Sequence, residues 1–288
     1  MPSPNESPQP LTLLTAGTGK TGRRVAQRLQ ARGVSTRIGS RAADPPFDWT
    51  DPATWGPALE GVRSVYIVYY PDLAAPGAAA TIQSFVDRAV AQGVERLVLL
   101  SGRGEAEARR CEEIVQAAGV DWTVLRATWF SQNFSEGFMR SLVRDGMVAL
   151  PASDVREPFV DVDDIADVAV AALTEPGHAG QLYELTGPRL LTFAEAVGEI
   201  AEAIGRDVIY VPISQTAFVA GLREQDVPAA MVDLLEYLFT EVMDGRNSVL
   251  AGGVQRALGR PPRDFSAFVR DAAATGVWDV PTARAGAG

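Results

Sequence analysis

Residues 11–29, LTLLTAGTGKTGRRVAQRL, constrain the chain more than any other stretch. A short apolar run (Leu11, Leu13, Leu14) ends in a glycine-rich turn, and a helical pattern begins at once. Gly17, Gly19 and Gly22 stand at the G-x-G-x-x-G spacing of a dinucleotide-binding turn. That turn asks for one glycine in the tight bend, one where the backbone approaches pyrophosphate and one where helix meets strand. The helix then turns its free N–H groups and positive dipole end toward the phosphates. Gly19-Lys20-Thr21 also matches the second half of a P-loop, G-x-x-x-x-G-K-[ST]. That motif needs its first glycine at position 14, which is Leu14 within the strand. The P-loop reading fails on spacing.

Composition narrows the partners. Of 288 residues, 47% are hydrophobic and 22% charged, proportions that suit one large core or two smaller ones. A net charge of −10 argues against nucleic acid or an anionic membrane as partner of the whole chain, and leaves room for a locally basic pocket. No apolar run reaches the roughly 18–20 residues of a membrane span. Residues 1–10, MPSPNESPQP, lack the basic and apolar parts of a secretion signal and read as a disordered lead-in. The single cysteine, Cys111, excludes an intrachain disulfide and suits a reducing, cytoplasmic location. Lys20 is the only lysine and His178 the only histidine, so no lysine outside the glycine turn can serve catalysis. A Ser-His-Asp mechanism would have to run through His178, in the loop-like Glu175-Pro176-Gly177-His178-Ala179-Gly180, where a surface loop histidine is the plainer reading.

Strands and helices alternate through the first half. The pattern predicts a helix over 22–32 stopped by Gly33, a strand over 34–38, and a helix over 52–59 with Asp51 as N-cap and Pro52 first. A strand over 62–69, a helix over 78–92, a strand over 95–100, a helix over 105–118 and a strand over 121–126 follow. Phe47-Asp48-Trp49 reads as a further short strand. Such alternation means βαβ units and a parallel sheet, with ligands beyond the carboxyl ends of the strands. Topology therefore selects Gly17, Arg41, Asp48, Tyr69, Tyr70, Ser101 and residues 127–130.

The end of the second strand decides the cofactor. A carboxylate there accepts from the ribose 2′-OH of NAD, whereas arginine meets the 2′-phosphate of NADP. Arg37-Ile38-Gly39-Ser40-Arg41 holds no carboxylate before Asp44, and Arg41 with Ser40 suits a phosphate. The alternative is that Arg37 and Arg41 are solvated loop arginines. NADPH is preferred, with NADH second. Beyond Phe130 the alternation weakens. Asp161, Asp163 and Asp164 tempt a metal assignment, but an N-cap and first-turn acids of a helix over 163–173 explain the spacing, and no metal is expected. A strand over Gln181–Leu185, a capping box Thr192-Phe193-Ala194-Glu195 opening a helix to Ile204, a strand over 208–212 and helices over 215–224, 229–243 and 265–274 complete the chain.

Taken together, Thr15-Ala16-Gly17-Thr18-Gly19-Lys20-Thr21-Gly22, Asp121-Trp122-Thr123-Val124-Leu125-Arg126, Trp129-Phe130-Ser131-Gln132-Asn133-Phe134, residues 159–166 and Tyr183-Glu184-Leu185-Thr186-Gly187 carry a family likeness. The chain resembles the NmrA-like branch of the atypical short-chain dehydrogenase/reductase superfamily over residues 11–278. The resemblance implies an α/β fold, a Rossmann-type doubly wound parallel sheet (11–130 and 155–176) with a small α/β C-terminal substrate domain (131–154 and 177–288). It implies an NAD(P)H-dependent oxidoreductase of a small molecule, here expected as monomer or homodimer. Members of the family reduce quinones, triphenylmethane dyes, phenylcoumaran-type ethers and an ergot-alkaloid iminium, and others are redox-sensing regulators. The candidate cofactor residues are Gly17, Thr18, Gly19, Lys20, Thr21, Gly22, Ser40, Arg41, Asp48, Trp49, Tyr69 and Ser101.

One departure bears on the chemistry. Most short-chain dehydrogenases carry a tyrosine–lysine pair on the helix after the Ser101 strand, and this helix has neither. Relatives with a catalytic lysine align it near Ala108 or Arg109, and neither moves a proton at neutral pH. Alcohol–ketone interconversion loses support, while hydride addition to an aromatic, quinoid or iminium acceptor gains. Tyr70 and Ser101 are the candidate hydrogen-bond donors to a carbonyl, and Trp129, Phe130, Asn133 and Phe134 the candidate substrate walls, although core packing accounts equally well for Trp129 and Phe130. Two other readings stay open: an NADP(H)-sensing binding protein without turnover, and a non-redox cyclase or eliminase.

Overall fold

The apolar run before the glycine turn is strand β1 (Leu11–Leu14), and helix α1 (Lys20–Ala31) leaves the turn directly. The computed structural model describes residues 10–280, so the expected lead-in lies outside the described residues except for Pro10. In chain order follow β2 (Thr36–Ile38), α2 (Trp55–Leu59), β3 (Val62–Ile67), α3 (Ala78–Ala91), β4 (Arg96–Gly102), α4 (Ala106–Gln116) and β5 (Asp121–Ala127). Next come α5 (Asn133–Glu136), α6 (Met139–Arg144), β6 (Met147–Leu150), β7 (Arg156–Glu157), α7 (Val162–Thr174) and β8 (Gln181–Leu185). The chain ends with β9 (Leu191–Thr192), α8 (Phe193–Ile204), β10 (Ile209–Pro212), α9 (Gln215–Glu224), α10 (Ala229–Tyr237), α11 (Gly253–Leu258) and α12 (Phe265–Ala274).

The main sheet runs β2-β1-β3-β4-β5-β8 with every pair parallel, the doubly wound α/β arrangement expected from the alternation. Its strands are nearly continuous hydrophobic runs because both faces are covered. Leu13, Val65, Ile67, Leu97 and Leu99 join one core with Trp55, Ile82, Phe85 and Val115 of α2–α4. Their alternates Leu14, Tyr66 and Val98 are buried on the other face, where α1 and α7 pack together and α7 reaches β3 and β4. The chain reverses direction across the sheet between β1 and β3, which makes the carboxyl ends of these strands the switch-point crevice.

Several expectations need correction. Phe47-Asp48-Trp49 is not a strand: Asp48 Oδ1 accepts from Thr50 N–H at 2.9 Å and from Thr50 Oγ1 at 2.8 Å, which bends the chain into a turn. The strand expected over 62–69 stops at Ile67, and the Val68 N–H goes to Thr15 Oγ1 at 2.9 Å instead. The helix expected over 229–243 ends at Tyr237 and continues as a π-helical turn, Leu238–Val242.

The chain forms two compact units. The first comprises the described residues up to Thr128, Val162–Thr186 and Ala251–Pro262. Residues 177–186 and 251–262 thus stand with the sheet and not with the smaller part, for two physical reasons. Gln181–Leu185 pairs in register with Thr123–Ala127. Gly253 opens α11 against the β8 backbone, where a Cβ would meet Glu184 O at 2.1 Å. The second unit comprises Trp129–Asp161, Gly187–Leu250 and the described residues from Arg263. Its core gathers Phe134, Phe159, Phe193, Phe265 and Phe268, and Trp278 donates its indole N–H to Phe134 O at 2.8 Å. Two small sheets, β10-β6 and the antiparallel β7-β9, flank α8 in sequence.

Candidate functional site

The three glycines of the turn differ in what demands them. A Cβ at Gly22 would meet Ala16 O at 2.0 Å, and one at Gly17 would meet Ile38 Cγ2 at 2.7 Å. Both are fixed by packing of turn, helix and β2. At Gly19 the nearest contact is Ala16 O at 3.2 Å, a milder restriction than at Gly22 or Gly17. Gly19 is the N-cap of α1 and provides no side-chain acceptor, and the first helical turn holds no acid. The helix end therefore keeps the donor-rich, positive character that suits pyrophosphate. The site that a dinucleotide implies thus fits this chain: a bare backbone face at a helix start, with no side-chain cap and no acid in the first turn. Thr18 is exposed, Gly19 and Lys20 are half-buried, and Thr21 is buried, with the fully buried Tyr66 packed toward it. Burial raises the Tyr66 phenol, which stays neutral.

At the end of β2 the two arginines separate. Arg37 donates to Ala58 O and Glu60 O, both at 2.8 Å, and so closes the carboxyl end of α2. Arg41 is exposed and makes no hydrogen bond among the described residues, with Asp48 as its electrostatic neighbour. Ser40 is half-buried beside it, and its carbonyl accepts from Phe47 N–H at 2.9 Å. The Asp48 carboxylate is held below its ordinary range by the Thr50 N–H and hydroxyl and by Arg41. Trp49 is core: its indole packs against Trp55 and Phe85, and its N–H goes to Val68 O at 3.0 Å. Its ring supports half-buried Tyr69, 5.0 Å away, and offers little face to a ligand.

The two candidate donors to substrate also separate. Ser101 is buried and gives its hydroxyl proton to Glu112 Oε1 at 2.6 Å. Glu112 is in turn gripped by Arg126, whose Nη1 also reaches Glu184 at 3.0 Å. Ser101 thus anchors a buried ion network and does not hold a free donor. Tyr70 is 70% exposed and follows β3 into the turn Tyr70-Pro71-Asp72. Sequence reasoning missed Asp72 and Glu105, two acids just past the carboxyl ends of β3 and β4 whose carboxyl groups burial raises above the ordinary range. Their positions just past two strand ends are the signal that marks them.

In the second unit, Trp129 is half-buried, tilted 5.0 Å from Phe239 on the π-helical turn and edge-on to Phe193 at 5.8 Å. Phe130 pairs with Val160 and is half-buried, as is Asn133. Phe134 corrects its expected place: it is fully buried among Phe159, Phe193 and Phe265 and shows no surface to a substrate. The aspartates also sort themselves. Asp161 accepts from Gln132 Nε2 at 2.6 Å, Asp163 pairs with Arg28 at 2.7 Å and buried Asp164 with Arg260 at 2.6 Å, so their partners are an amide and arginines. His178 is buried, not a surface residue, with Nδ1 at 2.9 Å from the Tyr183 hydroxyl. A cavity of about 380 Å³ lined by Thr12, Arg63, Glu95 and Asp121 lies at the amino ends of the strands, the end opposite the glycine turn.

Comparison with known proteins gives the following. No family model matches the chain. It is 32% identical over 277 residues to agroclavine dehydrogenase of Claviceps fusiformis, covering 90% of this chain and 96% of that one. It is 30% identical over 260 residues to the NAD(P)H azoreductase of Xenophilus azovorans, covering 86% of each. Among solved structures, the Citrobacter sp. triphenylmethane reductase complexed with NADP(H) superposes with a TM-score of 0.74 over 91% of this chain and 99% of that one, at 19% identity, a likeness of fold.

Proposed function

We propose that this chain, which belongs to the NmrA-like branch of the atypical short-chain dehydrogenase/reductase superfamily, is an NADPH-dependent reductase of a small aromatic, quinoid or iminium substrate. The observation that carries the reading is Gly19, which leaves the start of α1 bare where a Cβ would come no closer than 3.2 Å to Ala16 O. The two relatives, a dehydrogenase and an NAD(P)H azoreductase, support the same direction.

Bound NADPH supplies the hydride, and the protein's part is to hold and align. The backbone from Gly17 to Gly22 and the N–H groups of α1 hold the pyrophosphate. Arg41, exposed at the end of β2, holds the 2′-phosphate, a task Arg37 cannot share because it caps α2. Tyr69, backed by Trp49, borders the crevice. Tyr70, with its exposed hydroxyl, is the better placed of the two candidate donors, since the Ser101 proton is engaged by Glu112.

Titration of the wild type and Arg41→Asp with NADPH and NADH tests the cofactor assignment. A charge-assisted phosphate contact is worth about 1.5–3 kcal/mol, so NADPH affinity should fall about 10–100-fold and NADH affinity should hardly change. Equal losses for both would remove the 2′-phosphate role. NADPH oxidation with a panel of quinones and cyclic iminium ions tests turnover, and tight binding with no oxidation by any of them would favour an NADP(H) sensor.

A further inference from the structure

Four polar side chains stand in line at the amino end of the main sheet. Thr12, Ser64, Arg96 and Asp121 are direct register partners across β1, β3, β4 and β5, so they share one face. Two residues further along the strands, that face carries Leu14, Tyr66 and Val98, all fully buried. The line depends on a bulge. Leu11 pairs with Val62 and Thr12 with Ser64, which leaves Arg63 as an extra residue in β3. Without it Thr12 would stand beside Arg63, and the two hydroxyl groups would not meet. They meet at 2.8 Å, with Thr12 3% and Ser64 8% exposed. A hydrogen bond between two hydroxyl groups uses one of their two hydrogens. The other finds no acceptor among the described residues, and both hydroxyl groups line the cavity of about 380 Å³. A buried donor left without an acceptor is costly, so this hydrogen calls for a partner inside the cavity.

Arg96 stands next in the line. Its Nη1 donates to Leu173 O at 2.9 Å, at the carboxyl end of α7, which holds the guanidinium in place. Its Nη2 reaches Asp121 Oδ2 only at 3.5 Å, against 2.9 Å between Arg63 and Glu95, the other ion pair of the lining. Val34 and Leu173 give the cavity apolar wall, and its two arginines and two acids cancel in charge. These features set the chemistry of an occupant. An anion between Arg96 and Asp121 would leave the acid without its cation, and a cation would leave the arginine without its anion. A molecule that carries both charges keeps each of them paired.

We propose that this cavity is a second ligand site, for a small zwitterion of the α-amino-acid class with an apolar side chain. The ligand carboxylate takes the Arg96 guanidinium and the remaining hydroxyl hydrogen of the Thr12–Ser64 pair. Its ammonium group takes Asp121, and its side chain lies against Val34 and Leu173. The order of the line, hydroxyl pair, cation, anion, matches the order of charges along such a molecule. The site lies at the strand ends opposite the glycine turn, so it stands independently of the reductase reading.

NMR titration of the isotope-labelled full chain with L-valine, L-leucine and L-phenylalanine at millimolar concentrations tests the site. At least one of them should bind saturably and shift the amide signals of Thr12, Ser64 and Arg96. Its counterparts lacking the amino or the carboxyl group (for leucine, 4-methylpentanoate and 3-methylbutylamine) should bind at least about tenfold more weakly. Arg96→Gln, and separately the double variant Thr12→Val/Ser64→Ala, which removes both hydroxyl groups with little change of shape, should each weaken the amino acid by about tenfold or more. NADPH affinity should stay near wild type in both. A carboxylate or an amine that binds as tightly as the amino acid overturns the zwitterion assignment. Binding that both variants leave intact, or that shifts none of the three amides, overturns the location. No saturable binding of any of the three amino acids overturns the site.

Discussion

Gly22 sits inside a helix, where alanine is ordinarily favoured by about 1 kcal/mol. Packing against Ala16 O reverses that sign, because the nearest approach of a Cβ would be 2.0 Å. Gly22→Ala should therefore destabilise the protein by about 3 kcal/mol in urea unfolding. Gly19→Ala should destabilise less than Gly22→Ala and yet weaken NADPH at least tenfold, since its Cβ would meet Ala16 O at 3.2 Å instead of 2.0 Å and would face a bound pyrophosphate. Loss of stability at Gly19 equal to that at Gly22 would mean that the turn serves the fold alone. The motif's spacing was legible from sequence, but the division of labour among its glycines was not. Identical letters hide different neighbours. The same holds for Arg37 and Arg41, which differ only once the end of α2 is known to lie over Arg37.

At the scale of elements, the first half was legible because buried parallel strands and amphipathic helices repeat their patterns over several turns. The second unit was not, because β7 and β9 have two residues each and α5 four, too few for any period to declare itself. The engagement of Ser101 with Glu112 and Arg126 was hidden for another reason: it depends on β4 and β5 being neighbours, a property of topology. Trp278 illustrates a further long-range tie. It is 1% exposed, bonds to Phe134 O and packs edge-on to Phe268, so the turn after α12 closes the aromatic core of its unit. Trp278→Ala should cost about 3–5 kcal/mol, read as a lowered Tm or an earlier urea transition. A loss under about 1 kcal/mol would show that the core does not depend on this closure.

For the whole molecule, two acids give opposite pH dependences in separate windows. Asp264 is held far below its ordinary 3.8 by Arg189 and by the N-terminus of α12, so its contribution is present above that value and is lost as pH falls. Glu105 is raised, so the folded state binds a proton that the unfolded chain has released above about 4.5. Its sign is the reverse: stability declines as pH climbs from there through the raised value. Denaturant unfolding across this upper window should show that decline in the wild type and a flatter profile in Glu105→Gln. Identical profiles would contradict a Glu105 that stays protonated in the folded state.

The measurement that reaches the central claim most directly is hydride transfer itself. Incubation of the protein with NADPH carrying deuterium at the reactive C4 position and a cyclic iminium acceptor should give product with one deuterium on the former iminium carbon. NADPH bound tightly but returned unoxidised, with no deuterium in any acceptor of the panel, would contradict the reductase assignment and make the chain a binding protein.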